Sequence, residues 1–192
     1  MACAILGRIA GTISEGAGLR FSKTLVPGVF LIELEPIEDE RGFFARTWCA
    51  EEFRRHQLNP DLSQCSVSFN RNRGTLRGMH YQAEPWAEAK LVRCTSGAIY
   101  DVALDVRPDS PAYRRWVGVE LTSRNRLGLY LPEGVAHGFQ TLADDSEVFY
   151  QISVPYHAES GRGVRWDDPA FGIRWPLAEP LLSTRDASYP LT

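Results

Sequence analysis

Of the four histidines, His80 and His137 stand apart. Each lies in a β-rich run beside a glycine, in Arg77-Gly78-Met79-His80-Tyr81-Gln82 and Pro132-Glu133-Gly134-Val135-Ala136-His137. His56 and His157 have polar neighbours and read as surface residues. An imidazole titrates near neutrality, so it can take a proton from a carbon next to a carbonyl. The enolate left behind needs a fixed positive charge or a donor at its oxygen, which a lysine such as Lys90 supplies. Inverting the carbon also needs a proton donor on the opposite face, for which Tyr150 is suited, and a carboxylate to hold the imidazole in one tautomer. Composition and spacing do not pick such a set from the chain's many polar residues. A packed core histidine or a metal ligand would read the same way at either position.

The run Pro132–His137 resembles the second motif of the cupins, jelly-roll proteins that often hold iron, manganese or zinc. Their first motif has two histidines two apart followed by a glutamate, and here the run is His80-Tyr81-Gln82 with Glu84 nearby. Gln82 is a poor ligand for a transition metal. A triad of His80, Glu84 and His137 stays open as an alternative, but the expectation is a metal-free cavity that needs no cofactor.

The elements that would carry these residues are short and β-rich. They are Val29–Leu34, Phe43–Trp48, Gln64–Phe69, Leu76–Gln82, Lys90–Thr95, Ala98–Val106, Trp116–Thr122, Gly128–Leu131, His137–Leu142 and Val148–Val154. Turn signals such as Asn72-Arg73-Gly74 and Pro108-Asp109-Ser110 separate them. One helix is expected, over Ala50–Gln57 with Phe53 inward. Many close-spaced strands without alternating long helices point to an all-β fold, a double-stranded jelly roll with a pocket between its sheets. Residues 1–25 read as a loose lead-in. Residues 160–192 read as irregular chain whose Trp166, Phe171, Ile173 and Trp175 wrap back over the barrel, so 1–192 is expected to form a single domain.

Alternation along a strand sorts side chains by face. It puts Asp101 and Asp105 with Ile99 and Ala103, Lys90 with Val92 and Cys94, and Tyr150 with Val148 and Ile152. The two aspartates face either solvent or the interior. His80 shares a face with Gly78 and Gln82, which leaves Arg77 on the other side unless a bulge at Gly78 brings it round.

Composition narrows the class. Hydrophobic residues make up 44% and charged residues 23%, and the net charge of -3 gives no reason to expect nucleic acid as a partner. No apolar run reaches membrane-spanning length, and Met1–Leu6 is too short for a signal-peptide core, so a cytoplasmic location is expected. Cys3, Cys49, Cys65 and Cys94 are scattered and read as buried or free thiols.

Taken in order, the motifs resemble the dTDP-4-dehydrorhamnose 3,5-epimerase family. They are Asp39-Glu40-Arg41-Gly42-Phe43-Phe44, Gly74–Gln82, Lys90-Leu91-Val92-Arg93, Asp101–Arg107, Pro132–Phe139, Glu147–Tyr150, Trp166–Pro169 with Trp175-Pro176, and Ser183–Asp186. The resemblance implies an enzyme that inverts C3, C5 or both of a nucleotide-linked 4-keto-6-deoxyhexose. It implies a homodimer of jelly-roll subunits with exchanged N-terminal strands. His80 would be the base, oriented by Asp186, with Tyr150 the opposing acid and Lys90 the stabiliser of the enolate at O4. Arg41 and Arg77 would contact the diphosphate or nucleotide, helped by Gln64, His137 and Arg185. Tyr156 would stack on the base, with Phe44 and Gln82 completing the substrate site. Asp101 would have a secondary role.

The sequence also departs from the family. Arg46 stands where a glutamate is usual, Ser66 where an asparagine is usual, and Gly161 near a common glutamate, with Glu159 close by. The stretch from Gln64 to His80 is one residue longer. These differences touch nucleotide and sugar rather than proton chemistry. They leave open CDP, GDP or UDP in place of dTDP, and one or two inverted carbons. A sugar-nucleotide 3,4-ketoisomerase on the same scaffold is the alternative enzyme. A non-catalytic jelly-roll binding protein or a metal-dependent dioxygenase is the alternative from another class.

Overall fold

The computed structural model describes residues 18–192. Met1–Leu6, Cys3 and the first part of the lead-in lie outside them. Among the described residues the strands are β1 (Leu19–Lys23), β2 (Phe30–Leu34), β3 (Ile37–Asp39), β4 (Gly42–Phe44), β5 (Gln64–Asn70), β6 (Leu76–Gln82), β7 (Lys90–Ser96) and β8 (Ala98–Asp105). They continue with β9 (Trp116–Thr122), β10 (Gly128–Leu131), β11 (Val135–Thr141), β12 (Ser146–Ile152) and β13 (Gly161–Gly163). Helix α1 spans Ala50–Arg55 and α2 spans Thr184–Ala187. One sheet runs β1-β2-β10-β7-β12-β5, and the other runs β13-β6-β11-β8-β9. Packed face to face they form the expected jelly roll.

Period-two alternation decides what lies between the sheets. Along β8, Ile99 and Ala103 join Val92, Leu129, Leu131, Val148 and Phe139 in the core between the sheets. The alternate residues Val102 and Leu104 face outward, where Phe171, Ile173 and Trp175 of the C-terminal wrap cover them. Asp101 and Asp105 therefore point inward, and both are fully buried. Cys94 sits in the same core, where burial pushes its thiol up to about 11. On the outer face of the larger sheet, Phe53 of α1 packs over Phe30, Ile32, Leu91 and Tyr130.

Four expectations need correction. The stretch 160–192, read as irregular, contains β13 and α2. The lead-in contains a strand, β1, paired with β2 of the same chain from Leu19↔Leu34 to Lys23↔Phe30. The strand expected over Phe43–Trp48 is only Gly42–Phe44, hairpinned to an unforeseen β3 with every residue exposed. Residues beyond it cross the outer face instead, tied down where Arg93 Nη2 donates to Thr47 O at 2.8 Å. The helix stops at Arg55, because Gln57 takes a left-handed φ of 59°. His56 then stacks on Phe21 at 4.0 Å between ring centroids.

The bulge anticipated at Gly78 is present. His80 pairs with His137 and Arg77 with Phe139, so Gly78 and Met79 together oppose the single residue Gly138. This extra residue turns Arg77 onto the face that His80 occupies. Gly78 has φ +140°, and a Cβ there would lie 2.5 Å from Gly138 Cα. Gly78→Ala is therefore expected to cost about 3 kcal/mol from combined backbone strain and overpacking. In a chain of this size that is a Tm lower by roughly 10 °C, readable by calorimetry. An unchanged Tm would mean the bulge tolerates a side chain.

Candidate active site

Where the bulge aligns Arg77 with His80, the two sheets enclose a cavity of about 440 Å³. From the smaller sheet, β6 contributes Arg77, His80 and Gln82, and β11 contributes His137. From the larger sheet come Gln64, Ser66 and Ser68 of β5, Lys90 of β7 and Tyr150 of β12. Tyr156, Arg185 and Asp186 close it from the chain that follows. Residues far apart in sequence meet because β6, β11, β7 and β12 are neighbours in their sheets.

Two histidine–carboxylate pairs line the smaller sheet. His80 Nε2 lies 2.6 Å from Asp186 Oδ1, which leaves Nδ1 as the nitrogen that can accept a proton. Asp186 is placed by its own short helix, whose N-cap Ser183 accepts the Asp186 backbone N–H. Burial alone would raise the Asp186 carboxyl. The hydrogen bond and charge of His80, with the Ser183 bond, outweigh burial and hold it below its usual value. Beside it, His137 Nε2 meets Asp101 Oδ1 at 2.7 Å, with both side chains buried. Glu84 is exposed and outside the cavity lining.

Tyr150 comes from the opposite sheet, its ring edge-on to His137 at 5.9 Å. Burial pushes its phenol well up, the Asp101 charge adds to this, and the positive charge of Arg77 opposes it. The phenol therefore stays protonated through neutral pH and can donate. Lys90 Nζ is 2.6 Å from Glu88 Oε1, with both side chains largely buried at the cavity wall.

The remaining expected residues divide. Arg77 Nε donates to Asn70 Oδ1 at 2.8 Å, and Gln64 Oε1 accepts the Tyr156 backbone N–H at 3.0 Å. Arg185 lies between the hydroxyls of Tyr156 and Tyr189. Gln82 reaches the cavity, but its amide is engaged by backbone. It donates to Trp86 O and Pro155 O, and accepts from His157 N. Arg41 and Phe44 are not brought in. They sit on the exposed β3–β4 hairpin, where Arg41 pairs with Asp39. Arg46 is also outside, donating to Glu52 at 2.8 Å. Sequence reasoning missed Glu88, Ser68 and Tyr189, whose ring lies 6.1 Å from that of His80. Glu88 lies just before β7, outside the stretch in which strand alternation sorts side chains by face.

Comparison with known proteins shows the family and the fold. The dTDP-4-dehydrorhamnose 3,5-epimerase family profile matches residues 23–192. The chain is 44% identical over 171 residues to a dTDP-4-dehydrorhamnose 3,5-epimerase of Sinorhizobium fredii, covering 88% of each chain. It superposes with a TM-score of 0.85 and 34% identity on the crystal structure of dTDP-6-deoxy-D-glucose-3,5-epimerase from Legionella pneumophila in complex with dTDP-4-keto-L-rhamnose, covering 91% of this chain and 93% of that one. A 3'-monoepimerase from Streptomyces bikiniensis, crystallised with dTDP-quinovose, superposes with a TM-score of 0.81 at 34% identity, covering 88% and 85%. The family profile and these relatives define an isomerase of the epimerase type. The chain belongs to the dTDP-4-dehydrorhamnose 3,5-epimerase family.

Proposed function

We propose that this protein inverts C3, C5 or both of a nucleotide-linked 4-keto-6-deoxyhexose, with dTDP-4-dehydro-6-deoxyglucose as substrate and dTDP-4-dehydrorhamnose as product. The observation that carries the reading is one cavity holding the His80–Asp186 pair together with Lys90 and Tyr150. His80 takes the proton from a carbon next to the ketone, and the C–H electron pair becomes the double bond of an enolate. The Lys90 ammonium meets the charge that develops on O4. The neutral phenol of Tyr150, on the opposite sheet, returns a proton to the other face and restores the ketone with inverted configuration. Solvent then resets His80 and Tyr150, so each turnover leaves a solvent proton on carbon.

Arg77, Gln64, His137 and Arg185 contact the diphosphate or nucleotide and Tyr156 stacks on the base, supported by their place on the cavity wall. Gln82 acts by holding the 155–157 loop through its backbone bonds. Arg41 and Phe44 serve a second copy of the chain. Ile37, Phe43 and Phe44 expose 54%, 44% and 71% of their surface on the projecting hairpin, a pattern that suits coverage in a homodimer.

The test is deuterium incorporation from D2O into nucleotide ketosugars, followed by mass spectrometry, with product NMR to separate inversion from carbonyl migration. Absence of incorporation with dTDP-, CDP-, GDP- and UDP-linked ketosugars would overturn the reading. Tyr150→Phe offers a finer check. Inverted product should fall by about a hundredfold or more, while exchange of the abstracted proton falls far less. Equal losses of both would remove Tyr150 from the donor role.

A further inference from the structure

We propose that Glu88 is a specificity-determining residue that accepts a hydrogen bond from the hydroxyl on C3 of the sugar and aligns that carbon for deprotonation. The inference rests on the proposed reaction and deepens it. Glu88 stands on the cavity wall with its side chain 9% exposed. The backbone of the next residue is anchored, because Ala89 N donates to Ser153 Oγ at 2.9 Å and Ser153 N donates to Ala89 O at 3.0 Å. Other carboxylates between the sheets are engaged, although Asp101 Oδ2 is buried without a partner, outside the cavity lining. Asp186 serves His80, Asp101 serves His137, and Asp105 holds Arg107 and Ser110. Among the described residues Glu88 has one partner, the Lys90 ammonium.

A carboxylate has about four acceptor positions, and Glu88 brings those that Lys90 leaves unfilled to the cavity wall. The donor that completes Glu88 is supplied by the substrate. Lys90 marks the place of O4. Of the two carbons flanking the ketone in a 4-keto-6-deoxyhexose, C3 bears a hydroxyl and C5 bears a methyl group. Only the C3 side offers a donor to a carboxylate beside Lys90. A charge-assisted O–H to carboxylate bond there fixes the rotation of C3 and turns its C–H bond toward His80.

A simpler role, in which Glu88 only steadies Lys90, makes a different prediction. Enolates formed by deprotonation at C3 or at C5 place their charge on the same O4. A residue acting through Lys90 therefore changes exchange at both carbons together, whereas a residue on the C3 hydroxyl changes their ratio.

The experiment measures initial rates of deuterium incorporation at C3 and C5 of dTDP-4-dehydro-6-deoxyglucose in D2O by NMR, with thermal melts confirming that each variant folds. For Glu88→Leu, exchange at C3 should fall about tenfold or more relative to C5, the loss of one hydrogen bond to a charged acceptor. Glu88→Ala gives the same reading where leucine disturbs packing. Glu88→Gln keeps an acceptor oxygen and should hold the ratio within about threefold of the parent. Equal losses at both carbons, or an unchanged ratio in Glu88→Leu, would overturn the proposal. Exchange at C5 but none at C3 in the parent protein would also overturn it while leaving the proposed epimerase standing. Exchange at neither carbon would instead overturn the epimerase reading itself.

Discussion

His80→Ala is expected to lower solvent deuterium exchange into the ketosugar by about three orders of magnitude, within the range that a positioned general base contributes. Nδ1 of His80 is the basic atom left available once Nε2 is committed to Asp186 at 2.6 Å. The other cavity histidine cannot take over, because His137 is buried with its Nε2 on Asp101. Alanine also strips Asp186 of its partner, which costs about 1–3 kcal/mol of stability on its own. His80→Asn separates the two effects. Its amide can donate to Asp186 and preserve the melting temperature, yet it cannot act as a base, so exchange should be lost as in the alanine variant. Exchange within tenfold of the parent in the well-folded asparagine variant would remove His80 from the base role.

Asp186→Asn should lower exchange by about two to four orders of magnitude through the tautomer it imposes. The carboxylate can only accept, so it keeps the proton on His80 Nε2 and leaves Nδ1 free. An asparagine amide can donate to Nε2 instead, which moves the ring proton to Nδ1 and blocks the base. The same substitution gives a pH signature in stability. The folded-state value of Asp186 lies below its usual 3.8, so its contribution is fully present above that value and is lost as pH falls through the lowered one. Melting temperatures of parent and Asp186→Asn should therefore differ most above pH ~5 and converge at the acid end. A difference that stays constant across that range would show that the carboxylate contributes nothing by its charge.

The two substitutions act on a pair separated by 106 positions in the chain, and that separation marks the boundary of what a linear reading can give. Strands β6 to β12 are legible to within two residues, because each has at least one face pressed against apolar neighbours and the alternation shows in the residue types. β1, β3 and β4 escape it. β3 and β4 expose every residue, so burial imposes no pattern on them. β1 has a single buried residue, Leu19. Arg41 and Phe44 are legible as a motif, yet their own chain places them away from the cavity.

From the chain alone follow the jelly roll, the inward face of Tyr150, and, through ordered motifs, the reaction type. Alternation could not choose between solvent and interior for Asp101 and Asp105, since period two sorts side chains into faces without saying what covers each face. Nor could it reveal that Glu88 would meet Lys90, because Glu88 lies before β7, outside the alternating stretch. Tertiary structure decided these points. The C-terminal wrap seals the outer face of β8 and leaves both aspartates inside. The Gly78 bulge rotates Arg77 to the side of His80, and α2 brings Asp186 to the His80 ring.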